Sequence, residues 1–584
     1  MQHLDRQSVE SSYDATVKAD IEAFRAASQQ FTAGELTADQ FRPHRLRRGI
    51  YTQRQPGVHM IRTKVPGGIA TARQFRVMAD LADKFAGSKG HLTTRQNMQF
   101  HFVPLADVPD CLHMLADSRL TTREACYNTI RNITACPYAG LVNGEPFDVR
   151  PYAQKAAFAF LHKEIADNLP RKFKIGFAGT DADSIATSIN DLGFRAVERD
   201  GQRGFRVTVG GGLGPLPNEA KVLDDFLPAD RVVNRIESVV RVFAKYGNRG
   251  NKNKARLKFV LRERGFEWLR DAVDLEYQDI LKNGGVETPE ILPEGFGGFE
   301  LETRIPVSLP PVIENRVGEP GFDEWFESSV EEQKQTGYAI ATVRVDQGNL
   351  TAVQMRGVAD AAEEFGDGLL RLTMTQNLLI AYVPLANLKR LHAKLKAIGL
   401  GGPRAHQIDD VMTCPGAYSC NLALTKSMNL GDALSEALVK ENDPEVRKLA
   451  VHVSGCPNAC GQHWTGDFGF YGNARKIDGR EVPYYLMLLG GGQDAMGIAR
   501  FGLAIQSLPA RLVPVAVDRV IRHFQANHEA GESFRDYVMR HKVETFRKLT
   551  ADLAKPAELF PEIYQDWGDD VQYSLQLGRG ECAA

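Results

Sequence analysis

Cys414 and Cys420 sit in Thr-Cys-Pro-Gly-Ala-Tyr-Ser-Cys, and Cys456 and Cys460 in Ser-Gly-Cys-Pro-Asn-Ala-Cys-Gly. Two close pairs of thiolates are a ligand set for an iron–sulfur cube, whose potential is then tuned by hydrogen bonds to sulfur and by burial. The spacings, C-x5-C and C-x3-C, are looser than the paired C-x2-C knuckles of zinc ribbons. Both pairs lie in loops rich in Gly, Pro, Ser and Asn, where backbone N–H groups can turn toward sulfur. Four buried thiols, or a structural zinc ion, are the other readings of the same residues.

The chain has 584 residues, enough for three or four domains with full cores. A net charge of −2 speaks against a nucleic-acid-binding protein and leaves room for a local cationic pocket. No basic-then-apolar leader opens the sequence and no long uncharged apolar run follows, so neither a signal peptide nor a membrane span is expected. Only eight cysteines in so long a chain fit a reducing compartment, with the cytoplasm as default. Cys111, Cys136 and Cys582 read as structural or incidental.

The elements that must position the cysteines occur twice. Residues 62–106 align without a gap on 342–386, an offset of 280 at which about 18 of 45 positions are identical. Gln74, Arg76, Asp80 and Phe85 recur as Gln354, Arg356, Asp360 and Phe365. The same offset carries Gly210, Gly211 and Gly212 onto Gly490, Gly491 and Gly492, each triplet following a strand-like run. A period this long means two halves rather than a solenoid. Each half reads as strand (Val58–Val65), helix (Thr71–Phe85), alternating strand (Leu92–Val103) and short helix (Val108–Leu115), then a longer α/β region. One such unit exposes too much sheet to stand alone, so the two are expected to pair.

The fold class that follows is α+β with α/β, an internally duplicated, pseudo-twofold chain. Its expected parts are a helical arm (1–50), a half domain (51–118), an α/β lobe (119–285), a Pro/Gly-rich linker (286–330), a second half domain (331–402), a second α/β lobe (403–560) and a tail (561–584).

Where the halves differ, function is expected. On the strand Thr94–Phe102, alternation places Arg95, Asn97, Gln99 and His101 on one face. The second half offers Thr375, Asn377, Leu379 and Ala381 there. Arg62 and Lys64 share a strand face, against Thr342 and Arg344, and Lys172 and Lys174 stand against Lys448 and Ala450. The first half is thus a surface of cations and donors, suited to an anionic ligand, while the second carries the thiolates.

The four cysteines, the duplication and Met60-Ile-Arg62-x-Lys64-x-Pro-Gly-Gly68 together resemble the sirohaem and 4Fe–4S sulfite and nitrite reductases, over about residues 45–555. The resemblance implies two ferredoxin-like half domains in one lobe, with two sirohaem-binding lobes beside them. It implies a cluster on Cys414, Cys420, Cys456 and Cys460, the last shared with the sirohaem iron. Arg95, Gln99 and His101 match the strand that contacts sirohaem; Asn132, Asn458 and the glycines at 210–212 and 490–492 are further candidates. Arg62, Arg131, Lys172 and Lys174 match the lining of the substrate pocket. The run Arg249, Lys252, Lys254, Arg256 and Lys258 resembles another family segment, and is read as a solvated helix start.

Lys172-Phe-Lys174 resembles the sulfite-preferring members, whereas nitrite enzymes carry Lys-x-Asn. A second ammonium favours the more highly charged anion, so six-electron reduction of sulfite to sulfide is expected, with nitrite reduction to ammonia as the alternative. Gly210-Gly-Gly-Leu-Gly214 lacks dinucleotide-binding spacing, so electrons must come from a separate protein. Cys420–Lys426 resembles the ferredoxin-dependent members; a flavoprotein reductase is the alternative donor. Tyr51 and Cys126 match a pair that is covalently joined in some of them. A non-catalytic iron–sulfur relay or sensor is the reading from another class.

Overall fold

The computed structural model describes residues 6–288, 290, 292–297, 305–307, 320–556, 559–576, 578 and 581. Cys582 and the linker prolines 289, 310 and 311 lie outside them. Thr71 and Thr351 each cap a helix, Ala72–Phe85 and Ala352–Phe365, accepting from the N–H of Gln74 and Gln354. The glutamine oxygens in turn accept from the cap N–H groups, a reciprocal capping box that gives this residue its reason to recur. The two helices pack on each other about the pseudo-twofold axis. Arg76 donates to Asp360 at 2.6 Å, and Arg356 to Asp80 at 2.7 Å, so the repeated charges meet their opposite copies.

Each half contributes a strand to the other's sheet. The first sheet runs Ile50–Thr52, Val58–Arg62, Met98–Pro104, Lys89–Leu92 and then Asn349–Thr351 from the second half. The second runs Val330–Glu332, Tyr338–Val343, Leu378–Pro384, Leu369–Leu372 and then Ile69–Thr71 from the first. The half domains therefore share backbone hydrogen bonds as well as a helix interface.

The expected strand Leu92–Val103 is in fact two strands around a turn. Thr93 N donates to Asn97 O at 2.9 Å, and Gln96 adopts a left-handed conformation between them. Thr and Asn side chains offer the backbone this alternative to a ladder. Arg95 and Asn97 accordingly leave the face that carries Gln99 and His101. Val58–Val65 is also shorter than expected, ending at Arg62.

The two α/β lobes repeat one topology. In the first, Lys221–Pro228, Gln202–Val209, Leu192–Arg199, Ile175–Ala178 and Thr134–Ala135 lie side by side. In the second, Leu503–Pro509, Arg480–Leu489, Phe468–Ile477, Val451–Ser454 and Met412–Thr413 follow the same order. One apolar core runs from helix Arg6–Thr32 through both half domains into the first lobe, and the second lobe has its own. At the end of the linker, helix Phe322–Ser329 buries Trp325.

Candidate active site between the halves

Cys414 follows strand Met412–Thr413 and Cys456 follows Val451–Ser454, two strands paired in parallel. The chain then turns back through left-handed Ala459 and Gln462 around Cys460. Gly455 N donates to Cys414 Sγ at 3.3 Å, and Ser427 Oγ lies 3.4 Å from the same sulfur. Burial raises the pKa of the Cys414 thiol, with Cys460 adding to the rise; Cys420 is pushed up to about 12 by burial, then by Cys460 and Cys414. Cys456 is raised well up by burial and by all three others. Four thiols close enough to oppose one another's ionisation need the positive charge of bound iron, which a cluster supplies. Among the described residues no three His, Cys, Asp or Glu side chains are placed to hold a single metal ion.

The chain's C-terminal stretch straps this ligand loop. Asp566 accepts from Lys426 N at 2.8 Å, Tyr573 OH donates to Leu424 O at 2.8 Å, and Gly578 N to Asn421 O at 3.1 Å. Glu581 then accepts from Thr52 N at 2.9 Å and pairs with buried Arg45, tying the strap to the first half.

The first half meets the cluster loop through its 93–97 turn. Thr94 Oγ1 donates to Cys460 O at 2.8 Å, and Gln462 Nε2 to Thr94 O at 3.4 Å. Arg95 donates to Asn190 Oδ1 and to Asn132 O, each at 2.7 Å, and its buried Nε has no partner. Burial pulls the Arg95 guanidinium down to about 9, Asp191 opposing and Arg131 and Arg256 adding to the drop. In the register Arg62 pairs with Gln99, Gln99 with His91, and His91 with Asn349, one row across four strands. With its amide oxygen toward Arg62, Gln99 accepts from Arg62 Nε at 2.9 Å and donates to His101 Nε2 at 3.2 Å. His101 is held down to about 3 by burial, His91 and Arg62, and its buried Nδ1 lacks a partner.

Arg131 points its guanidinium at Tyr51 OH, 3.2 Å away, and at the carbonyls of Ala125 and Tyr127. Tyr51 OH also accepts from Tyr127 N at 3.4 Å, beside buried Cys126, and Arg62 lies over the Tyr51 ring at 5.7 Å. Lys174 is lowered by burial, then by Arg95, Lys172 and Arg256, with Cys460 opposing. That set brings Lys174 within electrostatic reach of Arg95, Lys172, Arg256 and Cys460. Among the described residues the Lys174 ammonium has no hydrogen-bond or ion-pair partner; its main-chain N–H donates to Asp191 at 2.9 Å.

Some expected residues stand elsewhere. Lys64 does not share Arg62's face: its ammonium is buried against Glu124 at 2.9 Å, and the matching Arg344, half-buried, pairs with buried Asp409 at 2.6 Å. Asn132 binds backbone with its amide, accepting from Val65 N and donating to Val65 O, Arg95 O and Gln96 O, so it fixes the 93–97 turn. Arg256 and Lys258 are buried, contrary to the solvated helix start, because they bind Asp191 and the carbonyls of Leu213 and Leu216; Arg249, Lys252 and Lys254 are exposed. The glycine triplets have a packing reason: a Cβ at Gly211 would meet Ser188 O at 2.4 Å, and one at Gly491 would meet Gly466 O at 2.5 Å. Asn458 is exposed in the loop between the last two cysteines. Thr94, Gln462 and Asp191 were not singled out from sequence, although Asp191 recurs as Asp467.

A duplicated chain with four clustered thiols in one half and a cationic face in the other defines a redox enzyme for a small anion. Family models match accordingly. "Nitrite and sulphite reductase 4Fe-4S domain" covers residues 126–281 and 405–556, and "Nitrite/Sulfite reductase ferredoxin-like half domain" covers 51–118 and 331–398. The chain belongs to the sulfite/nitrite reductase family of oxidoreductases, whose members use sirohaem and a 4Fe–4S cluster. A ferredoxin–nitrite reductase of Synechococcus elongatus is 32% identical, over 82% of this chain and 90% of its own. A sulfite reductase (ferredoxin) of Mycobacterium tuberculosis is 28% identical, over 85% and 88%. The solved structure of Mycobacterium tuberculosis NirA protein superposes with a TM-score of 0.74 at 26% identity, covering 88% of this chain and 92% of that one. The residues present fit both groups: the thiol quartet suits the cluster, and partnerless buried donors on Arg95 and His101 suit an anionic macrocycle.

Proposed function

We propose that this enzyme reduces sulfite to sulfide with electrons from ferredoxin, in the cytoplasm. The observation that carries the choice of anion is Lys174, whose ammonium is uncommitted beside Lys172, Arg95 and Arg256. Sulfite near neutrality is largely a dianion and nitrite a monoanion, so a second ammonium discriminates for sulfite. When bound, sirohaem supplies an iron on which the anion is reduced, and the cluster on Cys414, Cys420, Cys456 and Cys460 feeds it electrons. The chain's own part is to bind and orient. Arg62 is braced by Gln99, and Arg131 by Tyr51 and two carbonyls, so both guanidinium groups are held in place before an anion arrives. Arg95 and His101 would take the macrocycle's carboxylates, and Lys172 and Lys174 would hold the anion and release protons as it is reduced. Ferredoxin as donor follows the dependence named for the relatives.

Nitrite reduction is the second reading, favoured by the nitrite reductases among the relatives at about 30% identity. Lys174→Asn decides between them. It should shift the ratio of kcat/KM values toward nitrite by more than tenfold; an unchanged ratio rejects the sulfite assignment. Whether Tyr51 and Cys126 are covalently joined is tested by intact mass of the reduced protein, where a two-dalton deficit marks the bond and its absence an ordinary thiol and tyrosine.

A further inference from the structure

Asp191 opens strand Leu192–Arg199 and is fully buried. Its Oδ2 accepts from Lys174 N at 2.9 Å and from Arg256 Nη2 at 2.5 Å, while its Oδ1 has no partner. Arg256 is itself buried and precedes helix Leu257–Arg264. Space for it depends on Gly212, where a Cβ would lie 2.9 Å from the guanidinium.

The other half builds the same strand without the arginine. Asp467 accepts from Ala450 N at 2.9 Å, matching Asp191 and Lys174. Arg535, in the first turn of helix Phe534–Leu549, donates to Gly490 O at 2.6 Å and Phe501 O at 3.3 Å rather than to Asp467. Burial with no cation pushes Asp467 up to about 6. The aspartate therefore belongs to the duplicated fold, whereas its pairing with arginine belongs only to the half that carries Lys174.

A buried carboxylate without a cation either holds its proton to higher pH, as Asp467 does, or draws in a cation within reach, because desolvation makes an isolated charge costly. Lys174 is the flexible candidate, since its own N–H already touches Asp191 and its four-carbon stem can fold back. The other charges facing Lys174 are Arg95, Lys172, Arg256 and Cys460, and nearby Lys258 is spent on the carbonyls of Leu213 and Leu216. We propose that Arg256 is a positioning residue: by neutralising Asp191, it lets that carboxylate anchor the Lys174 main chain without capturing the Lys174 ammonium, which stays available to the substrate anion.

The inference rests on the reading of Lys174 as a pocket cation, and the test separates the two. Sulfite and nitrite are titrated into oxidised holoenzyme, following the haem absorption change, with variants accepted at wild-type iron and tetrapyrrole content. Lys174→Met sets the reference and should weaken sulfite by about tenfold or more, the scale of one charge-assisted contact. Arg256→Met should match it, and Arg256→Gln should weaken less. Arg256→Lys, and the double variant Asp191→Asn with Arg256→Met, should return to within about threefold of wild type, a non-additivity that only coupled residues give. Lys258→Met removes a charge from the same segment without uncovering Asp191, and Asp467→Asn alters the matching aspartate; both should leave affinity unchanged. If Arg256→Met does not retain its cofactors, the series is read from Arg256→Gln and its combination with Asp191→Asn. The proposal is overturned if Lys174→Met weakens binding and the Arg256 variants do not. It is equally overturned if Lys258→Met acts as strongly as Arg256→Met, or if the double variant fails to recover. An unaffected Lys174→Met instead removes the pocket reading itself.

Discussion

The row Arg62, Gln99, His91, Asn349 crosses the first sheet; the matching row of the second is Thr342, Leu379, Arg371, Ile69. The backbones are equivalent and the surroundings are opposite. Leu379 and Ala381 are covered by Leu141 and Ile340, with Tyr138 and Val142 against them, and Arg371 is locked to Asp367 with both side chains fully buried. In the first sheet the corresponding donors bond one another, Arg62 to Gln99 and Gln99 to His101, and the buried Nδ1 of His101 has no partner among the described residues. Duplication has thus produced two equivalent faces, one lined by polar and cationic side chains and the other by apolar ones.

The lobes differ in the same way. Counted from the paired strand ends, Cys414, Cys420, Cys456 and Cys460 correspond to Cys136, Val142, Thr180 and Ser184. The first lobe keeps one cysteine of the quartet, and Ser184 Oγ donates to it at 3.2 Å from the position of Cys460.

The sharpest break of this comparison is Cys414→Ser against Cys136→Ser. The first should abolish cluster iron and turnover, and the second should leave both near wild type; iron analysis and a reductant-linked assay decide. Next, Arg62→Met should lower kcat/KM about a hundredfold while hardly moving the melting temperature, as losing a preorganised donor does. Arg371→Met should do the reverse, costing about 3–5 kcal/mol by stranding a buried Asp367 while KM stays unchanged. Denaturant unfolding beside steady-state kinetics tests both, and equal kinetic damage would remove the distinction between the faces.

A third contrast depends on pH. Asp467 holds its proton to about pH 6, above the unfolded value, so folded protein binds that proton more tightly. Its ionisation therefore destabilises the fold as pH rises through about 4 to 6, by roughly 2–3 kcal/mol once complete. Asp467→Asn should raise the melting temperature at pH 8 and do progressively less as pH falls to 5. The smallest effect is expected at the axis, where Arg76–Asp360 and Arg356–Asp80 are partly exposed. Asp80→Asn should cost about 0.2–1 kcal/mol, fading in molar salt.

The linear chain already specified the thiol quartet and the duplication, because ligand type and repeat identity are properties of residues in order; the resemblance they carry offered Arg62, Arg131, Lys172 and Lys174 as candidates. It also specified the capped helices, since Thr-x-x-Gln acts within one turn. Three-dimensional contacts decided the rest. Period-2 patterning cannot see that Thr93 and Asn97 close a turn, so it aligns Arg95 with Gln99 where the structure separates them. Charge alone cannot separate a lysine paired inside the fold from an unpaired one: Lys64 and Lys258 find their carboxylate and carbonyl partners on distant segments, and Lys174 finds none among the described residues. The strand exchange between half domains was equally hidden, because a strand's own sequence states that it needs a neighbour but not which copy supplies it. Local chemistry is encoded where it stands; whether a charge meets substrate or counter-ion is fixed only when remote parts of the fold close around it.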